Sequence, residues 1–148
     1  MNTAYRVWDG QRMHCWNDEG LRLFIDGGKW MLYSARSGEM IFEIINSKNK
    51  NAALMWGTDQ REQPEVNIHN DSVKLGERIY AGDIVLQEDY DPDLYRNSTI
   101  IGEVKMLDGA WCIVNVKSEE CRLLFSETAI NSVIGDVYRN PELLEGVK

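Results

Sequence analysis

The sequence predicts a mainly β protein, with an N-terminal β-meander followed by a C-terminal SH3-like barrel and a short terminal helix. Short segments rich in β-branched and aromatic residues alternate with turn residues along the 148-residue chain. Two turns, at Asp26-Gly27 and Asp108-Gly109, carry the Asp-Gly pair that favours the positive φ angles of tight hairpins. A Gly82-Asp83 step stands directly before a β-branched run, a pattern common at the first strand of small SH3-like barrels.

The first region, residues 1–56, is predicted to be β-rich. Its apolar segments lie at residues 5–8, 13–16, 21–25, 29–33 and 40–45, and the third and fourth form a hairpin through Asp26-Gly27. Residues 52–56 fit either a strand or a short helical turn, because periodicity cannot decide over five residues. Residues 57–75 are rich in polar side chains and include Pro64, so they are predicted to form a loop or linker.

The second region, residues 76–148, is predicted to be the SH3-like barrel. Residues 100–107 and 110–116 flank Asp108-Gly109 and form a hairpin whose second strand is covered on both faces. Residues 126–129 read as a helical turn, and residues 131–138 as a final strand interrupted at Gly135. Asn140 is expected to cap the terminal helix, with Pro141 in its first turn and Gly146 after its end.

The charge distribution argues against a nucleic-acid partner. The net charge is −8, divided into +1 over residues 1–50 and −9 over residues 51–148. An acidic second half repels phosphate backbones, so nucleic-acid binding is disfavoured. If it occurred, the lysines of the less acidic first half, Lys29, Lys48 and Lys50, would be the expected contacts.

The three cysteines indicate a reducing compartment. Cys15, Cys112 and Cys121 are an odd number without C-x-x-C spacing, so all three are predicted to be free thiols. The first residues show no export signal, and the chain has no run of about 20 apolar residues that could span a bilayer. We therefore expect a cytoplasmic protein without a membrane partner.

The sequence assigns no catalytic, cofactor-binding or metal-binding residue, and no cofactor. Asp89, Asp91 and Asp93 have the spacing that opens an EF-hand loop, but Leu94 replaces its glycine and Ile100 its final glutamate, so an acidic solvated loop is the preferred interpretation.

The two histidines, His14 and His69, are too few for a zinc site. His14 cannot readily activate Cys15, because adjacent strand residues point to opposite faces. Phosphate loops, nucleophile elbows and zinc-protease motifs are missing from the sequence. We therefore expect that the protein is not an enzyme.

The five tryptophans divide into two groups. Trp8, Trp30 and Trp111 are interpreted as core residues, whereas Trp16 and Trp56 lie beside predicted loops and are the more plausible contact residues of a binding face. Stacking of bases on these rings would require a basic groove that the composition does not indicate.

Three stretches resemble the YopX family of small bacteriophage and prophage proteins. They are residues 5–9 (YRVWD), residues 76–85 (GERIYAGDIV) and residues 133–144 (VIGDVYRNPELL), and the last is the most specific. The resemblance implies a phage or prophage origin, a mainly β fold and self-association, and it transfers no catalytic residue. The sequence departs from the family at Trp56-Gly57-Thr58, where a Tyr-Thr-Gly-Leu segment is usual, and at Ala81, where the family tends to have an acidic residue.

These observations predict a non-enzymatic phage-type accessory or protein-interaction module. Its expected partner is another copy of itself, as a homo-oligomer, or a host protein bound through sheet edges and loops in the bacterial cytoplasm. The alternative is a nucleic-acid-binding SH3-like barrel, which rests on fold analogy alone.

Overall fold

The computed structural model describes residues 4–91, 93 and 95–145. These residues form antiparallel β-sheets and one short 3₁₀ helix, which confirms the mainly β fold class with a short terminal helix. The SH3-like character of residues 76–148 stays a prediction. The chain divides into two compact units, Met1–Gly57 and Thr58–Lys148. Within the described part of the chain, no helix is long and apolar enough to cross a membrane.

The first unit contains two small sheets. One has β1 and β2 beside the start of β6, and the other has the order β3-β4-β5. The strands are β1 (Tyr5–Trp8), β2 (Met13–Cys15), β3 (Leu21–Asp26), β4 (Lys29–Ser34), β5 (Phe42–Asn46) and β6 (Ala53–Arg61). Residues 53–56, for which the sequence allowed either a strand or a helical turn, are therefore part of a strand. Strand β6 continues beyond Gly57 into the second unit.

The predicted hairpin at Asp26 is confirmed. Asp26 pairs with Lys29 across Gly27 and Gly28, and Gly27 adopts a φ of +60° that a side chain would disfavour. Alternation along β3 and β4 then directs Leu21 and Leu32 to one face. There they join Val7 and Ile45 in the buried core of this unit, against which Trp30 packs.

The second unit is built around a five-stranded sheet with the order β13-β12-β11-β10-β14. Its strands are β7 (Glu65–Asn67), β8 (Ser72–Lys74), β9 (Arg78–Tyr80), β10 (Asp83–Asp91), β11 (Arg96–Leu107), β12 (Ala110–Asn115), β13 (Glu120–Leu123) and β14 (Ala129–Asp136). Strand β9 is hydrogen-bonded to β6, and β7 and β8 form a separate two-stranded hairpin. The core contains Ile79, Val85, Ile100, Val104, Ile113 and Leu124, with Trp111 and Val133 packed against it.

Both turn signals of the second region are confirmed. Leu107 pairs with Ala110, and the two turn residues Asp108 and Gly109 have φ angles of +48° and +81°. Both angles are positive, as a two-residue hairpin turn requires. At the Gly-Asp step, Gly82 has a φ of +88°, and the Asp83 carboxylate accepts a hydrogen bond of 2.8 Å from the Tyr80 backbone N–H.

The interruption predicted at Gly135 is a β-bulge. Gly135 pairs with Ile84, but the next pair is Val133 with Val85, so Ile134 is the extra residue. Asp136, fully buried, follows the bulge and accepts hydrogen bonds from the backbone N–H groups of Tyr138 and Arg139 and from the Arg139 side chain at 2.7–3.0 Å.

Three local predictions are wrong. Residues 57–75 are not a continuous loop, because they contain the end of β6 and both strands of the β7–β8 hairpin. Residues 126–129 form no helical turn; they are bends that lead into β14 at Ala129.

The terminal helix is a 3₁₀ helix, Pro141–Leu144, and among the described residues the Asn140 side chain makes no capping hydrogen bond to it. The side-chain oxygen of Asn140 instead accepts a hydrogen bond from the Asp136 N–H at 3.3 Å. The side chain fits there because Gly135 has no Cβ: one would lie 2.6 Å from the Asn140 oxygen. Gly146, the predicted stop, lies outside the described residues.

Candidate interaction surfaces

The two histidines lie in different units, His14 on β2 of the first and His69 in the second. His14 Nε2 is 2.8 Å from a carboxylate oxygen of Asp9, and His69 is exposed in the β7–β8 turn. Partial burial disfavours the charged form of Asp9. Hydrogen bonds from His14 and from two backbone amides, together with the His14 charge, outweigh this and lower the pKa of Asp9. The Asp9–His14 pair therefore closes the turn between β1 and β2.

Two of the three aspartates with EF-hand spacing lie on a strand, and the third, Asp93, is exposed in the turn that follows. Asp89 and Asp91 belong to β10, where they pair with Ser98 and Arg96 of β11, so the backbone does not form a calcium-binding loop here. The Asp89 carboxylate accepts a hydrogen bond of 2.6 Å from the Thr128 hydroxyl. The Asp91 side chain lies outside what the structure describes. Among the described side chains, no group of three or more His, Cys, Asp and Glu is arranged to hold a metal ion.

All three cysteines are free thiols. Cys112 and Cys121 lie on the same face of neighbouring strands, because Cys112 is opposite Leu123 and Cys121 is opposite Val114. Cys112 is buried and Cys121 exposed. Burial raises the pKa of the Cys112 thiol, and a hydrogen bond and charge interaction with Cys121 raise it further. A thiol shifted in this direction is a poor nucleophile at neutral pH.

Two of the three tryptophans interpreted as core residues pack against a core, whereas Trp8, the third, is half-buried and belongs to neither core cluster of the described residues. Trp30 and Trp111 pack against the cores of the first and second units. Trp16 and Trp56 are exposed to 43% and 41% of their surface, and the Trp56 ring makes an edge contact with Tyr5 at 6.4 Å between centroids.

The lysines proposed as nucleic-acid contacts come partly together. Lys29 and Lys48 line one shallow pocket of about 240 Å³ beside Trp30, and Lys50 is exposed elsewhere in the same unit. Asp26 and Glu43 line the same pocket. The two cationic side chains there are thus matched by two carboxylates, and the pocket offers no net positive charge.

The β7–β8 hairpin, hereafter the ribbon, is amphipathic. Val66 and Val73 are directly opposite each other and share one face, and Ile68 and Leu75 follow each of them at a spacing of two residues, just beyond the ends of the strands. These four side chains, the apolar face of the ribbon, are 63–79% exposed. The pairs Glu65–Lys74 and Asn67–Ser72 form the polar face. The ribbon therefore presents an organised apolar face to solvent.

The base of the ribbon is held to the second unit by several contacts. Glu62 donates its backbone N–H to the Glu77 carbonyl at 2.9 Å, and its carboxylate accepts from the Val133 N–H at 2.7 Å. Arg61 donates to the Gly76 carbonyl at 3.0 Å. Gly76 is required at this point because a Cβ would overlap the carbonyl group of Glu62. The ribbon thus starts from a fixed base although its apolar face is open.

A second apolar surface lies on the sheet of the first unit. On the face of β3 and β4 opposite the core, a groove of about 600 Å³ is lined by Arg22, Phe24, Asp26, Met31 and Tyr33, and Ile25, Ala35 and Ile41 complete its lining. Phe24 and Tyr33 meet edge to face at 5.4 Å between ring centroids. Phe24, Ile25, Ile41 and the neighbouring Met40 and Phe42 are 54–86% exposed. Contiguous exposed apolar surface of this kind marks an interaction site more often than a free surface.

Neither surface was predicted from the sequence. Ribbon residues Val66, Ile68, Val73 and Leu75 recur at a spacing of two, and this alternation was the signal that could have indicated a hairpin. Most groove residues belong to segments that were predicted to be strands. Their exposure depends on which other segments cover the sheet, and the sequence of a strand does not indicate this.

Comparisons with known proteins agree with the fold. The profile of the family described as YopX protein matches residues 4–145. The SPbeta prophage-derived uncharacterized protein YopX of Bacillus subtilis (strain 168) is 40% identical over 153 aligned residues, with both chains covered completely. The X-ray crystal structure of protein yopX from Bacillus subtilis superposes with a TM-score of 0.72, again at 40% identity and full coverage of both chains.

Proposed function

Because the chain belongs to the YopX family, we propose that it is a phage- or prophage-type accessory protein that binds another protein chain and carries out no catalysis. The observation that carries this proposal is the pair of exposed apolar surfaces, the ribbon face and the groove. Surfaces of this size are costly to leave in water, and a protein partner covers them. The prophage origin of the Bacillus subtilis relative supports a phage origin for this chain, and a bacterial cytoplasm is the matching compartment.

The partner is another copy of the chain or a host protein. Size-exclusion chromatography with light scattering, over a wide range of protein concentration, tests the first case. We expect an oligomer that persists at 1 M salt, since apolar contacts are not weakened by screening. A monomer at all concentrations would leave a host protein as the partner.

The host-protein case has its own matched test. Ile41→Lys places a charge in the groove, and Ser37→Lys places the same charge on an exposed turn nearby. Host proteins retained by the Ser37→Lys variant and lost from Ile41→Lys would support binding through the groove. Monomeric behaviour together with equal retention by the two variants would contradict the interaction-module proposal.

Nucleic-acid binding is the second candidate, supported by the Lys29, Lys48 and Trp30 pocket. Asp26 and Glu43 in the same pocket weaken it, because an oligonucleotide needs net positive charge along its path. Fluorescence anisotropy with short single-stranded DNA and RNA decides between the two candidates. Binding that falls steeply with salt, and that is lost on changing Lys29 and Lys48 to Gln, would establish this candidate in place of the first.

A further inference from the structure

We propose that the occupant of the groove is the ribbon of a second copy of this chain, whose apolar face of Val66, Ile68, Val73 and Leu75 lies against Phe24, Ile25 and Ile41. This inference rests on the proposed function, protein binding, and names its partner and both contact surfaces. The ribbon is a two-stranded hairpin with one apolar face, and the groove is a mostly apolar recess of about 600 Å³.

The ribbon needs a covering partner for a physical reason. An isolated two-stranded hairpin is at best marginally stable in water, and an apolar face packed against another sheet is what stabilises such an element. In this chain the polar and apolar residues of the ribbon are sorted onto opposite faces, yet the apolar face is 63–79% exposed. This separation of apolar from polar residues is typical of a hairpin that packs against another surface. We infer that the apolar face of the ribbon is covered by a partner.

The area available is sufficient for a stable contact. At about 100–120 Å² of apolar surface for each fully exposed side chain of these types, the ribbon face and the exposed groove residues together offer roughly 600 Å². A standard interface buries about 800 Å² per partner, of which about 60% is apolar, or roughly 500 Å². A subunit that uses both its ribbon and its groove therefore contributes as much apolar surface as a standard interface contains.

Charge favours a contact between unlike units. Residues 1–57 hold seven Lys and Arg against six Asp and Glu, whereas residues 58–148 hold nine against eighteen. A symmetric contact between two second units would bring two bodies of charge −9 together. A ribbon of one copy in the groove of another instead places the acidic unit against the nearly neutral one, with less repulsion. In a two-fold dimer each copy places its ribbon in the groove of the other, so that both surfaces of each subunit contribute to the same interface.

The experiment uses two variants that remove opposite halves of the contact. Val73→Lys changes the ribbon face and leaves the groove intact, and Ile41→Lys changes the groove and leaves the ribbon intact. Asn67→Lys, on the polar face of the ribbon, and Ser37→Lys, outside the groove, are the matched controls with the same added charge. Sedimentation velocity measures association of each variant, and circular dichroism checks that each one is folded.

We expect wild type and both controls to associate, and each of the two contact variants to associate at least about 30-fold more weakly, as when a central interface side chain is lost. An equimolar mixture of Val73→Lys and Ile41→Lys should associate again, since the intact ribbon of one fits the intact groove of the other. This recovery also shows that neither variant is misfolded at the surface it retains. Leu75→Lys serves as a second ribbon variant if Val73→Lys fails to fold.

Three results would overturn the inference. Wild-type association that neither variant weakens would place the interface elsewhere and leave the proposed function standing. Loss of association in only one of the two variants, or in both without recovery in the mixture, would exclude a contact between ribbon and groove. A wild-type monomer at all concentrations would remove the second copy as the occupant, and the retention test with Ile41→Lys and host proteins would then decide the proposed function separately.

Discussion

The exposure of the ribbon predicts that its apolar residues contribute little to folding of the single chain. Val73→Thr and Val85→Thr make the same chemical change, a methyl group replaced by a hydroxyl, at two strand positions. Val73 is 63% exposed on the ribbon, and Val85 is 0% exposed in the core of the second unit. Both residue types are β-branched and favour strands, so the two variants differ mainly in burial.

The expected magnitudes differ several-fold. Removal of one buried methyl group costs about 1 kcal/mol, and a hydroxyl placed in a core without a partner costs a further 1–3 kcal/mol, so Val85→Thr should lower the free energy of unfolding by about 2–4 kcal/mol. About a third of the Val73 surface is covered, and its new hydroxyl reaches water. We expect Val73→Thr to cost less than about 0.5 kcal/mol.

Urea unfolding followed by tryptophan fluorescence measures both free energies. The protein concentration must be low enough that the chain is monomeric, because association would add its own stabilisation. If Val73→Thr lowered the unfolding free energy as much as Val85→Thr under these conditions, the apolar face of the ribbon would be part of the fold of one chain. Exposure of the ribbon would then give no support to a partner from a second chain.

Three further predictions follow from positions with well-defined surroundings. Gly102→Ala should cost more than about 2 kcal/mol in thermal or urea unfolding, because its Cβ would lie 2.7 Å from a carbonyl oxygen of β12, whereas Gly28→Ala, where no described heavy atom lies within 4 Å, should be close to neutral. Iodoacetamide followed by mass spectrometry should modify the exposed Cys121 well before the buried Cys112, whose raised pKa leaves less thiolate; equal rates would contradict this assignment. The pKa of Asp9 is lower in the folded protein than its ordinary value of 3.8, so the ionised carboxylate stabilises the fold above pH 3.8. This stability is lost as the pH falls through the lower pKa of the folded state. Asp9→Asn should therefore destabilise the protein at neutral pH and have no effect in strong acid.

Turn chemistry explains why several elements could be predicted from the sequence. Asp26-Gly27 and Asp108-Gly109 specify their hairpins through the φ angles of the turn residues, a preference that acts within four residues. The Gly82-Asp83 step and the irregularity at Gly135 are local for the same reason. The mainly β fold class follows from the accumulation of such signals.

The interaction surfaces could not be predicted in the same way. Phe24 and Ile41 look like core residues in the sequence, and only the absence of a covering element makes them exposed. At residues 65–75 the polar residues Glu65 and Asn67 favoured a loop. These polar residues alternate with Val66 and Ile68, and that alternation is typical of a strand with one apolar face. Asn140 also failed as a predicted cap, since its partner is the bulge at Gly135 in another element.

The position of β14 in the five-stranded sheet has a consequence for synthesis on the ribosome. Strand β14 is made after every other strand, yet it completes one edge of β10, where Val133 pairs with Val85. Until it emerges, β10 has an open backbone edge and part of the second core is uncovered, which is the state most prone to aggregate. The first unit needs only residues up to Gly57, so it can fold while the second is still being translated. We therefore expect the groove to be formed on nascent chains before the second sheet of the same chain is complete.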